Sequence, residues 1–143
     1  MNKKETVLAG LAAGSKCCHT YTPVQVQKMF FLIDKNIPQY IDGPQFDFKP
    51  YDYGPFDKEV YSTIEDLAKT GDAIVKFDGR KNLYELTEQG LEKGNAIWNQ
   101  LPPLVKEYLT NVSEYVRSLS FTELVSSIYQ AYPEMRVHSV FKG

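Results

Sequence analysis

The residues that could do covalent or metal chemistry are few and scattered. His19 and His138 are the two histidines, and they lie near opposite ends of the chain. A Ser/His/Asp or Cys/His nucleophilic site would need its partners gathered by the fold, and no local motif marks one. Cys17-Cys18-His19 supplies metal-ligand residue types. Three consecutive residues rarely wrap one tetrahedral zinc, however, and no second cluster follows. Neighbouring cysteines do not readily bridge each other, so no disulfide framework is implied, which suits a reducing compartment. Asp34, Asp42, Asp47, Asp52 and Asp57 recur along the chain, but their spacing matches no calcium loop. There is no phosphate loop and no dinucleotide fingerprint. These patterns point away from an enzyme and call for no metal or cofactor.

Binding chemistry is better represented. Residues 46–61 carry Phe46, Phe48, Tyr51, Tyr53, Phe56 and Tyr61. Such a density of rings belongs to a core corner or to a docking surface for a protein, where tyrosine is enriched. A second candidate is the basic cluster Lys76, Arg80 and Lys81, opposed only by Asp78. It reads either as a solvated hairpin tip or as a grip on a phosphate backbone.

The elements that must position these residues follow from caps and periodicity. Lys3 to Ala13 forms a helix with Val7, Leu8 and Leu11 on one face, ended by Gly14. Lys3-Lys4, an apolar run and Cys17 have the outline of a lipoprotein leader. Glu5 interrupts it and Lys16 stands where a small residue belongs, so the reading is a helix of a cytoplasmic protein. Thr22, Pro23 and Gln25 make a capping box with proline at the first helical position. Val26, Met29, Phe30 and Ile33, widened by Phe31 and Leu32, predict a central helix covered on more than one side. Pro50 is expected to stop an extended segment, and Gly54-Pro55 to open a third helix through Lys69, with Phe56, Val60, Ile64 and Leu67 inward. A β-hairpin follows over residues 72–86, and then a helix capped by Thr87, in which Gly90 and Gly94 permit close backbone approach. After Pro102-Pro103, the stripe Val105, Tyr108, Leu109, Val112, Val116 and Leu119 either packs within the domain or forms a homodimer seam. Ser120 and Glu123 form another capping box ahead of a short helix, which Pro133 ends. The segment 134–143 gives no structural signal.

The chain of 143 residues is therefore read as a single domain, with a core over 1–100 and a helical extension over 102–132. Its net charge of −2 is interspersed, and no apolar run is long enough to span a membrane. Helix, helix, helix, hairpin is the order of a winged helix-turn-helix, here mainly α (α+β) with a β-hairpin wing and extra C-terminal helices. Thr22 to Phe31, the Tyr53-Gly54-Pro55 bend and Val60-Tyr61 resemble the SocA-like (Panacea) antitoxin domains, over roughly residues 20–90. The chain has Pro50-Tyr51 where those domains usually carry Ala-Trp. The resemblance implies a non-enzymatic adaptor that neutralises a protein partner, often a toxin, with DNA contact as a further role.

Charge ranks the two partners. The outward face of the third helix would carry Asp57, Lys58, Tyr61, Ser62, Glu65 and Asp66, more acidic than basic and without arginine. Phosphate contacts supply most duplex affinity, so this helix suits DNA poorly. The leading expectation is a protein partner held by Tyr51, Tyr53 and Tyr61, with Asp57, Glu65 and Asp66 meeting basic charge. The alternative is a DNA-binding regulator that uses Lys76, Arg80 and Lys81.

Overall fold

One helix supplies the floor on which the rest is laid. In the computed structural model, which describes residues 1–13 and 19–142, the elements run α1 (Lys3–Ala12), α2 (Pro23–Asn36), β1 (Lys49–Tyr51), β2 (Gly54–Phe56), α3 (Lys58–Lys69), β3 (Ala73–Phe77), β4 (Asn82–Leu86), α4 (Glu88–Asn99), α5 (Pro103–Ser118) and α6 (Phe121–Ala131). Short 3-10 turns cover Pro38–Tyr40 and Pro133–Arg136. The chain is mainly helical, with two separate two-stranded antiparallel hairpins among the described residues.

The α2 capping box forms as its residue types require. Gln25 N donates to Thr22 Oγ1, and Thr22 N donates to Gln25 Oε1. Val26, Met29, Phe30, Phe31 and Ile33 are buried, and α2 packs on α1, α3, α5, α6, β2 and β4. The breadth of its apolar stripe matches that all-round cover. The stripe on α5 (Val105, Leu109, Val112, Val116) is buried within the chain, and α5 packs on α2. It is therefore not an open homodimer seam: the core of this same chain consumes it. Both C-terminal helices share one continuous hydrophobic cluster with α1–α4.

The first helix departs from a one-faced reading. Every residue from Thr6 to Ala12 is buried, because Ala9, Gly10 and Ala12 are small enough to admit neighbours on several sides. The glycines of α4 complete this fit. A Cβ at Gly94 would lie 2.6 Å from the Leu8 carbonyl oxygen, and one at Gly90 only 1.8 Å from that of Asp72. The Asp72 carboxylate, in turn, accepts from Thr70, Gln89 and Lys93.

The segment around Pro50 is built differently from its sequence reading. Pro50 lies inside β1 and pairs with Pro55 in β2, between the pairs Lys49–Phe56 and Tyr51–Gly54. Opposed positions in an antiparallel ladder alternate between hydrogen-bonded and non-bonded pairs. Two facing prolines, neither with an N–H, fit the non-bonded position, so this small hairpin tolerates what a central strand would not. Gly54-Pro55 is consequently strand rather than helix start. The third helix is capped by Asp57, whose carboxylate accepts from Glu59 N at 2.9 Å.

In the second hairpin Ala73 pairs with Leu86, Val75 with Tyr84 and Phe77 with Asn82. Tyr84 and Leu86 reach the core, while Phe77 passes its edge and is 69% exposed. Tyr21 bridges to Tyr84 through two backbone hydrogen bonds of 2.8 and 2.9 Å, tying the entry of α2 to the sheet. The C-terminal segment, for which sequence gave no signal, straps the first hairpin: Val140 N and Ser139 Oγ both donate to the Asp52 carbonyl.

The Gly90 contact gives a stability test. A Cβ there meets backbone, which cannot swing aside, so Gly90→Ala should destabilise the fold by at least about 2 kcal/mol or prevent folding, as overpacking does. Glu92→Ala, at an exposed site on the same helix, should stay within about 0.5 kcal/mol. Urea denaturation of the two variants checks the contrast; equal midpoints would contradict this packing.

Candidate functional site

The most developed concavity is a groove of about 590 Å³. One end is the start of α2 (Thr22, Pro23, Val24, Gln25), and one wall is the β1–β2 hairpin with Tyr61 of α3. The opposite wall is Leu119, Phe121 and Leu124 at the start of α6, and Lys81 reaches it from the β3–β4 tip. The hairpin holds its place because Gln27 of α2, itself buried, clamps the backbone after it. Gln27 Nε2 donates to the Asp57 carbonyl at 2.9 Å, and Asp57 N donates to Gln27 Oε1 at 3.0 Å.

Aromatic rings build the walls. Tyr51 stacks on Phe56 at 5.1 Å, Phe56 meets Tyr61 edge-on at 5.8 Å, and Tyr61 stacks on Tyr84 at 5.7 Å. Across the groove, Tyr53 meets Phe121 edge-on at 5.1 Å, and Phe121 is backed by Phe141 from the C-terminal strap. Burial, reinforced by the neighbouring Tyr84 and opposed by a hydrogen bond with Gln27, pushes the Tyr61 phenol up to about 12.

Among these rings lies a charge. Lys28 lines the groove yet is only 3% exposed, and its ammonium makes one hydrogen bond among the described residues, to the Pro55 carbonyl at 3.3 Å. No carboxylate pairs with it among those residues. Burial alone draws its pKa down from an ordinary 10.5 to about 7. An ammonium has three donors, and one of them is engaged within the described residues. Sequence reasoning passed over Lys28. The available signal was the width of the α2 stripe, since a helix covered on every side must bury whatever polar residue lies between its apolar ones.

The residues expected to hold a partner are divided by the fold. Tyr51 and Tyr53 are 55% and 44% exposed at the groove, and Tyr61 lines it half-buried. Asp57 is half-buried and engaged within the chain. Its carboxylate caps α3 and also accepts from Asp47 N at 2.8 Å. Glu65 and Asp66 are exposed on α3 but do not line the groove, and Asp66 sits 3.8 Å from Lys69. At the second hairpin Lys76 pairs with Glu85, and Lys81 lies 3.5 Å from Asp78. Backbone N–H groups of Lys81 and Arg80 hold the Asp78 carboxyl below its usual range. Arg80 makes no ion pair among the described residues. Lys3 pairs with Glu59, and Lys16, Cys17 and Cys18 fall outside the described residues. Among the described helices, none is long and apolar enough to cross a membrane.

In comparison with known proteins, the chain matches no family model and no curated protein sequence.

Lys28 makes stability depend on pH in a defined sense. Its folded pKa lies below its unfolded one, so the cost of burying the ammonium is full below about pH 7 and fades as pH rises towards 10.5. Native stability should therefore rise over that interval. Lys28→Met, which keeps the stem and removes the charge, should be more stable than the native chain by roughly 5 kcal/mol at about pH 6, converging near pH 10. Urea denaturation across this range provides the check; a pH-independent difference would contradict the buried ammonium.

Proposed function

We propose that this chain is a cytoplasmic, non-enzymatic protein-interaction adaptor of winged-helix type, comparable in role to the SocA-like (Panacea) antitoxin domains it resembles. In this reading α1, α2 and α3 form the helical part, β3–β4 is the wing, and α5 and α6 are additions. The partner is a toxin or regulatory protein.

The observation that supports the reading best is the cluster of solvent-facing rings at the groove mouth. Tyr51, Tyr53 and Phe121 are each at least 44% exposed, and each stacks on or meets another ring, so they are held rigid. Exposed, preorganised aromatic surface is a feature of protein-binding sites, because little side-chain entropy is lost on docking. Glu65 and Asp66 supply exposed negative charge on the neighbouring helix. The second reading, a DNA-binding regulator using Lys76, Arg80 and Lys81, draws less support. Two of those three cations already have acidic neighbours, and α3 presents carboxylates where a duplex would present phosphates.

Affinity capture from the source cell tests the adaptor. One dominant protein should be recovered, and Tyr51→Ser with Tyr53→Ser should reduce its recovery at least tenfold while the melting temperature is retained. Glu65→Lys with Asp66→Lys should reduce it as well. Undiminished recovery by both variants, or salt-sensitive duplex binding in a gel shift with no protein recovered, would overturn the proposal.

A further inference from the structure

The interior of the groove has features that a protein-docking rim does not need. A volume of about 590 Å³ is within the range of small-molecule sites, which are mostly apolar with a few convergent polar groups. Its walls are the rings of Tyr51, Phe56, Tyr61 and Phe121, and Lys28 is the fully buried cation among its lining residues.

We infer that this groove is a binding site for a small aromatic carboxylate, whose ring lies against the Tyr51, Phe56 and Tyr61 rings and whose carboxylate pairs with the Lys28 ammonium. Three observations converge on an anion with an apolar body. The Lys28 residue is only 3% exposed, and its ammonium has the Pro55 carbonyl at 3.3 Å as its one hydrogen-bond partner among the described residues, so a ligand carboxylate would replace hydration that folding has taken away. The groove also opens at the first turn of α2, a helix of fourteen residues, whose dipole adds positive potential at the same end. Lys81 also lines the groove, with Asp78 at 3.5 Å beside it, and Asp52 is the one carboxylate among the described lining residues. A neutral aromatic ligand would gain the walls and leave the ammonium uncompensated. A cation would be repelled by it.

The site stands apart from the adaptor reading, because it concerns the inside of the groove and needs no protein at the rim. The probes are 2-naphthoate and 2-naphthamide, which share shape and ring surface and differ in charge. The readout is nuclear magnetic resonance of the intact protein with isotope-labelled lysine and tyrosine, at about pH 6, where Lys28 carries its proton. Naphthoate should shift the Lys28 Cε resonance and the Tyr51 and Tyr61 ring resonances, and should bind at least tenfold more tightly than naphthamide. Lys28→Met should bring the two ligands within about twofold of each other, since the charge-assisted contact is gone. Equal binding of the two probes to the native protein, shifts confined to residues outside the groove, or no shift from either at millimolar concentration would each overturn the inference. The native-protein comparison decides the matter even if the variant fails to fold.

Discussion

The structure depends on α2 being covered around most of its circumference between Val26 and Asp34. A helix turns 100° per residue, so an apolar stripe that includes Val26, Met29, Phe30, Phe31 and Ile33 leaves no broad arc for solvent. Once α1, α3, α5 and α6 have closed on it, two polar residues of its second turn are buried with the rest. Gln27 and Lys28 are the consequence. Gln27 finds a matched donor and acceptor in the backbone of Asp57 and fixes the β1–β2 hairpin to the helix. Lys28 has the Pro55 carbonyl as its hydrogen-bond partner among the described residues and stands as a cost within the same constraint.

That cost is informative beside other polar groups among the described residues, which have their partners. Helix starts at Asn2, Thr22, Thr87 and Ser120 are capped by their own side chains. Buried Asp34 receives the backbone N–H groups of Gln45 and Phe46 at 2.9 Å each, and buried Asp72 has three side-chain donors. A chain that pairs its buried carboxylates this thoroughly, yet leaves an ammonium with one neutral acceptor beside an aromatic groove, has the pattern of perturbed groups at functional sites.

Much of the architecture was legible in the residues, for local reasons. The capping boxes at Thr22 and Ser120 act within one turn of backbone, and the spacing that begins α2 and α6 needs no distant partner to be read. Gly90 and Gly94 announced a close helix contact, though only the fold shows that they meet the carbonyls of Asp72 and Leu8. What escaped was non-local. Pro50 opposite Pro55 is permissible only because each answers the other across the ladder, a condition invisible to a rule applied to one proline at a time. Asp57 read as surface charge because its type and position suited a helix face, whereas its two backbone donors come from Asp47 and Glu59. Tyr51, Tyr53 and Tyr61 do line one groove, together with Lys28 of α2 rather than with Glu65 and Asp66 of α3.

The account therefore rests on the environment of one amine. A pH titration of the Lys28 side chain, followed through the Cε resonance of isotope-labelled lysine, measures that environment directly. A midpoint at about 7 is the predicted result. A midpoint at the ordinary 10.5 would mean that the ammonium is in water, and the groove would then be a surface fold without a charged floor.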